Sequence, residues 1–73
     1  MSRAEECQVL YLNGTEIERS AWLMVESRAA YIRQLAGMCD TNYGEGNWLV
    51  AVRDEIPEDL SGYTVSGGKL VRL

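Results

Sequence analysis

Along this chain the spacing of apolar residues changes from segment to segment, and each change marks an element. Residues 7–12, CQVLYL, are rich in strand formers and run into Asn13-Gly14 ahead of TEIE. That dipeptide suits a two-residue hairpin turn, because a type I′ turn needs two residues that tolerate positive φ. The pattern predicts strands over about 7–12 and 15–18. A rival reading takes Thr15 and Glu18 as a capping box and starts the following helix early, which would set Glu18 on its apolar arc.

From Ala21 to Cys39 the period becomes helical, with Ser20 as N-cap and the polar, glycine-bearing stretch DTNYGEGN as the stop. On a helical wheel, Trp22, Val25, Ala29, Ile32, Ala36 and Cys39 fall on one stripe. Met24, Tyr31, Leu35 and Met38 form a second stripe beside it. Together they cover about 200° of the wheel, against about 100° for an ordinary surface helix. Glu26, Ser27, Arg33 and Gln34 mark the wet side, with Leu23 stranded among them, while Arg28 projects into the middle of the apolar face.

Further on, NWLVAVRD carries a continuous apolar run, which fits a central strand buried on both faces better than a half-exposed edge. The acidic segment DEIPED then turns the chain, since Pro57 cannot continue a ladder. In YTVSGGKLVRL, Gly67-Gly68 makes the turn of a second hairpin and aligns Val65 with Leu70. The resulting order is ββαβββ. It predicts one α+β domain over residues 1–73, with a mostly antiparallel sheet of four to five strands and one helix packed across it.

Composition narrows what such a domain does. Its 73 residues with 47% hydrophobic content argue for a folded chain. A domain this small hides only about 60% of its unfolded surface. Its stability, on the order of 4–11 kcal/mol, leaves room for a partner or a second copy to contribute much of the total. Eleven acidic against seven basic residues give a net charge of −4. That balance disfavours nucleic acid and anionic membranes as partners. No apolar run is long enough to span a bilayer and MSRAEECQ lacks the layout of a secretory signal, so a soluble, cytoplasmic protein is expected. Two cysteines and no histidine leave neither a disulfide framework nor a zinc set, so no metal or cofactor is expected. Cys7 and Cys39 read as buried thiols.

Catalysis finds little to work with. Histidine is absent, neither cysteine has an activating neighbour, and the serines lack a base at a motif spacing. No enzyme is expected. Asp54, Glu55, Glu58 and Asp59 form a solvated turn, or, with Glu5, Glu6, Glu16 and Glu18, a row of carboxylates that imitates a phosphate backbone. The plainer account makes these charges guards on edge strands. Tyr43 and Trp48 flank the glycines of YGEGNW, where aromatic rings can stack on a ligand's base or sugar.

Arg28 is the sharpest clue. Its helical neighbours are Met24, Val25, Tyr31 and Ile32, none of them an acid, and an unpaired buried charge costs about 3–5 kcal/mol. The side chain therefore reaches an acid on the sheet, extends its head to water, or lies on a surface that another chain covers. The last outcome draws support from the wide apolar arc, and makes Arg28, Met24, Tyr31 and Met38 partner-binding anchors. The function expected is that of a protein-binding module, a homodimer that occludes or bridges a target surface. The alternatives are a homo-oligomer that sequesters a nucleotide or other small molecule, and a structural subunit of a larger particle. In size, acidity and lack of catalytic residues the chain resembles the small accessory proteins of phages and mobile elements that block other proteins, anti-CRISPR inhibitors among them. That likeness is one of profile and names no family.

Overall fold

A computed structural model describes residues 4–73 and shows an α+β fold, with six strands and one α-helix among those residues. The strands are β1 (Glu5–Asn13), β2 (Glu16–Arg19), β3 (Leu23–Val25), β4 (Trp48–Val52), β5 (Tyr63–Ser66) and β6 (Lys69–Arg72); α1 spans Arg28–Tyr43. A single 3₁₀ turn, Arg53–Glu55, follows β4. No helix among the described residues is long and apolar enough to cross a membrane.

β1 is the centre of a four-stranded antiparallel sheet. β2 and β3 share one of its sides, pairing with residues 10–13 and 5–7, and β4 takes the other with Tyr11 opposite Trp48 and Cys7 opposite Val52. Alternation along the strands then sorts the core. Cys7, Val9, Trp48 and Val50 are buried with Cys39 on the face that α1 covers through Tyr31, Leu35, Ala36 and Tyr43. Leu10, Ala51 and Gln8 are buried on the opposite face, which the β5–β6 hairpin approaches with buried Val65. The layers are helix, sheet and hairpin.

The hairpins show how turn chemistry fixes register. Gly67 and Gly68 both take positive φ, and Val65 pairs with Leu70 as the sequence predicts. In the first hairpin only Gly14 has positive φ, and Asn13 pairs with Glu16. The turn is therefore Gly14-Thr15, one residue later than Asn13-Gly14. Asn13 stays in the strand because a turn with glycine first needs only one residue at positive φ.

The main departure lies in residues 20–27, which the apolar spacing assigns to the helix from Ala21 and its cap at Ser20. They form a β-bulge and β3 instead. Leu10 faces Arg19 and Cys7 faces Leu23, so Gln8 and Val9 stand opposite Ser20, Ala21 and Trp22, one residue more than they can match. Ser20 fills the irregularity: its N–H donates to the Val9 carbonyl and its Oγ accepts from the Val9 N–H, both at 2.9 Å. The Gln8 amide donates to the Ser20 carbonyl at 2.7 Å. Ser20 is thus a bulge residue, and the helix cap is Ser27, whose Oγ accepts from the Ala30 N–H.

Pairing with β1 overrides the helical spacing here for a physical reason. A helix begun at Ala21 carries Arg28 in its apolar arc and Leu23 on its wet side. A strand puts Leu23 and Val25 on the helix-facing side, with Val25 against the core, and delivers Arg28 to the first helical turn. There its own N–H donates to the Glu5 carboxylate at 3.3 Å, which sets a negative charge at the helix N-terminus.

Candidate functional site

β4 reads as a central strand and is buried on both faces, but among the described residues it pairs with a single strand. This corrects the expectation that it lies inside the sheet; β1, with neighbours on both sides, holds that place. Trp48, Val50 and Ala51 are each at most 9% exposed, yet among the described residues no other strand pairs with the strand's outer side.

The ladder defines what that side offers. The Leu12 N–H donates to the Asn47 carbonyl at 2.9 Å, which marks Asn47, Leu49 and Ala51 as the residues bonded to β1. The backbone groups of Trp48, Val50 and Val52 therefore point away from it. Two contacts agree: the Val52 N–H donates to Glu55 Oε1 at 3.4 Å, and a Cβ placed on Gly68 would lie 3.8 Å from the Trp48 carbonyl. Between these ends, the outward N–H and C=O of Val50 have no partner among the described residues.

This edge forms the floor of a cleft of about 630 Å³ between α1 and the hairpin. Arg28, Ile32 and Asp40 contribute one wall; Gly67, Gly68, Lys69 and Leu70 contribute the other. Local structure sets both walls. Gly46, at φ 82°, has its carbonyl bonded by the Gly68 N–H at 2.9 Å, and a side chain there would meet the Gly67 Cα at 3.4 Å. The hairpin tip is thereby pinned beside the start of β4. On the helix side, Asp40 Oδ1 accepts from Trp48 Nε1 at 2.8 Å and ties α1 to the same end.

Charge is unevenly placed along the cleft. The Trp48 end holds Asp40, Glu45 and Lys69; the Val52 end holds Arg28 and Glu55. Arg28 Nη1 bonds Glu55 Oε1, with the two side chains 39% and 49% exposed. Of the fates open to Arg28, it thus reaches an acid just beyond the sheet while keeping contact with solvent. It sits at the helix start, not in the middle of an apolar helical face as the spacing suggests.

The other predicted anchors separate. Met24 lies on β3 and is 65% exposed, Met38 lies on α1 and is 54% exposed, and Tyr31 packs against the core. They do not form one strip around Arg28, because the strip assumed a helix through residues 21–27. The aromatic ligand pair is also engaged within the chain. Tyr43 stacks on Tyr11 with ring centroids 4.1 Å apart, and Trp48 is buried and bonded to Asp40. Burial raises the Tyr43 hydroxyl above its ordinary pKa, the Tyr11 hydroxyl and Cys39 adding to the shift.

The carboxylates likewise work within the fold. Glu55 meets Arg28, Glu6 accepts from Arg53 at 2.8 Å, and Asp59 accepts from the Ser61 N–H at 2.9 Å. Asp54 and Glu58 lie exposed around the same turn, whose Glu58 carbonyl is held by Arg19 at 3.1 Å. The Arg53 hydrogen bond holds Glu6 below the usual carboxylate range, and the bond from Ser61 does the same for Asp59. Cys7 and Cys39 are buried free thiols, and burial pushes both above the ordinary value, which leaves little nucleophilic thiolate.

No protein family model, curated protein or solved structure matches this chain. The site rests on its own geometry. Sequence reasoning missed Val50, Ile32, Asp40, Glu45 and Lys69 as cleft residues. The signal was present in WLVAV, an apolar run suited to two neighbouring strands where the described residues supply one.

Proposed function

We propose that this protein is a non-enzymatic binding module whose β4 edge pairs with an extended strand of a second polypeptide, and that occludes or bridges a protein surface through that pairing. The observation that carries this reading is the unpartnered backbone of Val50 on the floor of a walled, largely apolar cleft. An extended backbone matches such an edge bond for bond, and strand addition draws affinity from main-chain bonds and specificity from the flanking pockets. Small-molecule sites instead converge several free polar groups. Here Arg28 and Glu55 are bonded to each other, and the Trp48 indole N–H is taken by Asp40.

Occlusion is the action that suits a 73-residue acidic domain with no histidine. The likeness in profile to inhibitor-like accessory proteins of phages supports the same reading. Its test is a capture experiment with tagged wild type and Val50→Pro, read by amide hydrogen exchange on the captured complex. Proline removes an outward N–H that serves no bond among the described residues and blocks the pairing path. Binding lost in the variant, with the Trp48 and Val50 amides protected in the wild-type complex, supports the proposal. A partner that both proteins bind equally, leaving those amides unprotected, overturns it.

A further inference from the structure

We infer that the occupant of the β4 edge is a second copy of this chain, the two β4 strands pairing antiparallel about a two-fold axis at Val50. The inference rests on the reading of β4 as a pairing edge and adds what fills it. Three observations lead there.

The first is register. The outward residues Trp48, Val50 and Val52 are symmetric about Val50. A two-fold axis at that point gives each Val50 both missing bonds from its counterpart and sets Trp48 opposite the other copy's Val52. The second is sequence. β4 is apolar throughout and buried on both faces, the pattern of a strand with two neighbours. Pairing with its own copy supplies the second one.

The third is charge, which tests the direction of pairing. Antiparallel β4 strands bring the Trp48 end of each copy against the Val52 end of the other. Asp40 and Glu45 then approach the end of the cleft where the second copy's Arg28 is paired with Glu55, and a guanidinium with five donors can serve both. An axis normal to the sheet keeps both helices on one side, so Arg28 and Asp40, both on α1, meet on the same face. A parallel arrangement would bring acids to acids. Ile32, 37% exposed on the helix wall, is covered by the second helix.

Light scattering and sedimentation across a concentration series test this on the full chain. Wild type is expected to dimerise, and Glu45→Arg and Arg28→Glu each to weaken the dimer by at least about tenfold through like-charge contacts. Their equimolar mixture is expected to recover most of the affinity. In the mixed pair, the new arginine faces the new glutamate while the other contact remains that of the wild type. A folding defect would not be rescued by mixing, and circular dichroism checks each variant.

A wild type that is monomeric at every concentration overturns the second-copy inference, as does a dimer that neither variant weakens or mixing fails to restore. The broader reading is separated by exchange at Val50. A monomer whose Val50 amide becomes protected on capturing another protein refutes the second copy and leaves the pairing edge standing. A dimer in which that amide still exchanges freely refutes both.

Discussion

The two edges of the four-stranded sheet are built on opposite plans. The β2–β3 edge is broken by a bulge into strands of four and three residues, and β2 carries Glu16, Glu18 and Arg19. The β4 edge is one run of five apolar residues without a bulge, a charge or a proline. Short strands, charges and bulges keep edges from pairing with other chains. One edge has these features and the β4 strand itself lacks them, so the two sides of the same sheet differ in how well they are guarded against pairing. Charges beside the β4 edge lie on the cleft walls, where, in the pairing proposed above, they would set a partner's direction without interrupting the strand.

The largest expected effect comes from removing what holds the open edge in shape. Trp48 is 9% exposed, packs in the core and donates to Asp40. Trp48→Ala should cost about 3–5 kcal/mol, as large-to-small core changes do. Chemical denaturation measures this, and a loss under about 1 kcal/mol would mean that β4 is not anchored as described. A paired substitution sharpens the contrast next. Val50→Pro and Ile17→Pro each remove an N–H that points away from β1, the first on the open edge and the second on the guarded one. Both should cost about 1–3 kcal/mol of stability, but only Val50→Pro should abolish self-association. Equal loss in both would erase the distinction between the edges.

On the guarded side, Ser20→Ala removes the hydroxyl that accepts from the Val9 N–H and leaves that buried amide unpaired. The expected cost is about 1–3 kcal/mol, with the dimer unaffected. Exchange of the Val9 amide should quicken by at least the corresponding factor. An unchanged rate would show that the bulge is held by the Ser20 backbone alone.

The sequence made these plans legible to different depths. Fold class, the Gly67-Gly68 hairpin and the two buried thiols follow from local chemistry that tertiary structure does not overturn. Residues 21–27 do not, because Trp22, Val25, Met24 and Leu23 satisfy a helical spacing nearly as well as a strand alternation. Only pairing with residues 5–7, distant in sequence, decides between them. Two misfits marked the trouble. Arg28 leaves the apolar arc once the segment is a strand, and Leu23 moves to the helix-facing side, where it is still 50% exposed. The cleft was legible in one respect, that WLVAV asks for two neighbours. Its walls were not, since Ile32, Asp40 and Lys69 come together through packing across the sheet edge.

The smallest predicted effect concerns a clamp that links the two edges. Arg53, just past β4, lies over the Trp22 ring at 4.3 Å to the centroid and donates to Glu6 of β1 at 2.8 Å. Trp22 belongs to the bulge, so one guanidinium joins the guarded edge, the central strand and the segment after the open edge. The Arg53 hydrogen bond depresses the Glu6 pKa below its ordinary 4.5. A depressed carboxylate contributes stability above its unfolded value and loses it as pH falls through the folded one. Melting temperature should therefore drop on acidification below about pH 4.5 more steeply in wild type than in Glu6→Gln. The two curves should converge once Glu6 is protonated in the folded state. Because both side chains are substantially exposed, the difference should be small and shrink in about 1 M salt. Parallel curves throughout would show that the clamp acts through the Arg53 stack on Trp22 and not through its bond to Glu6.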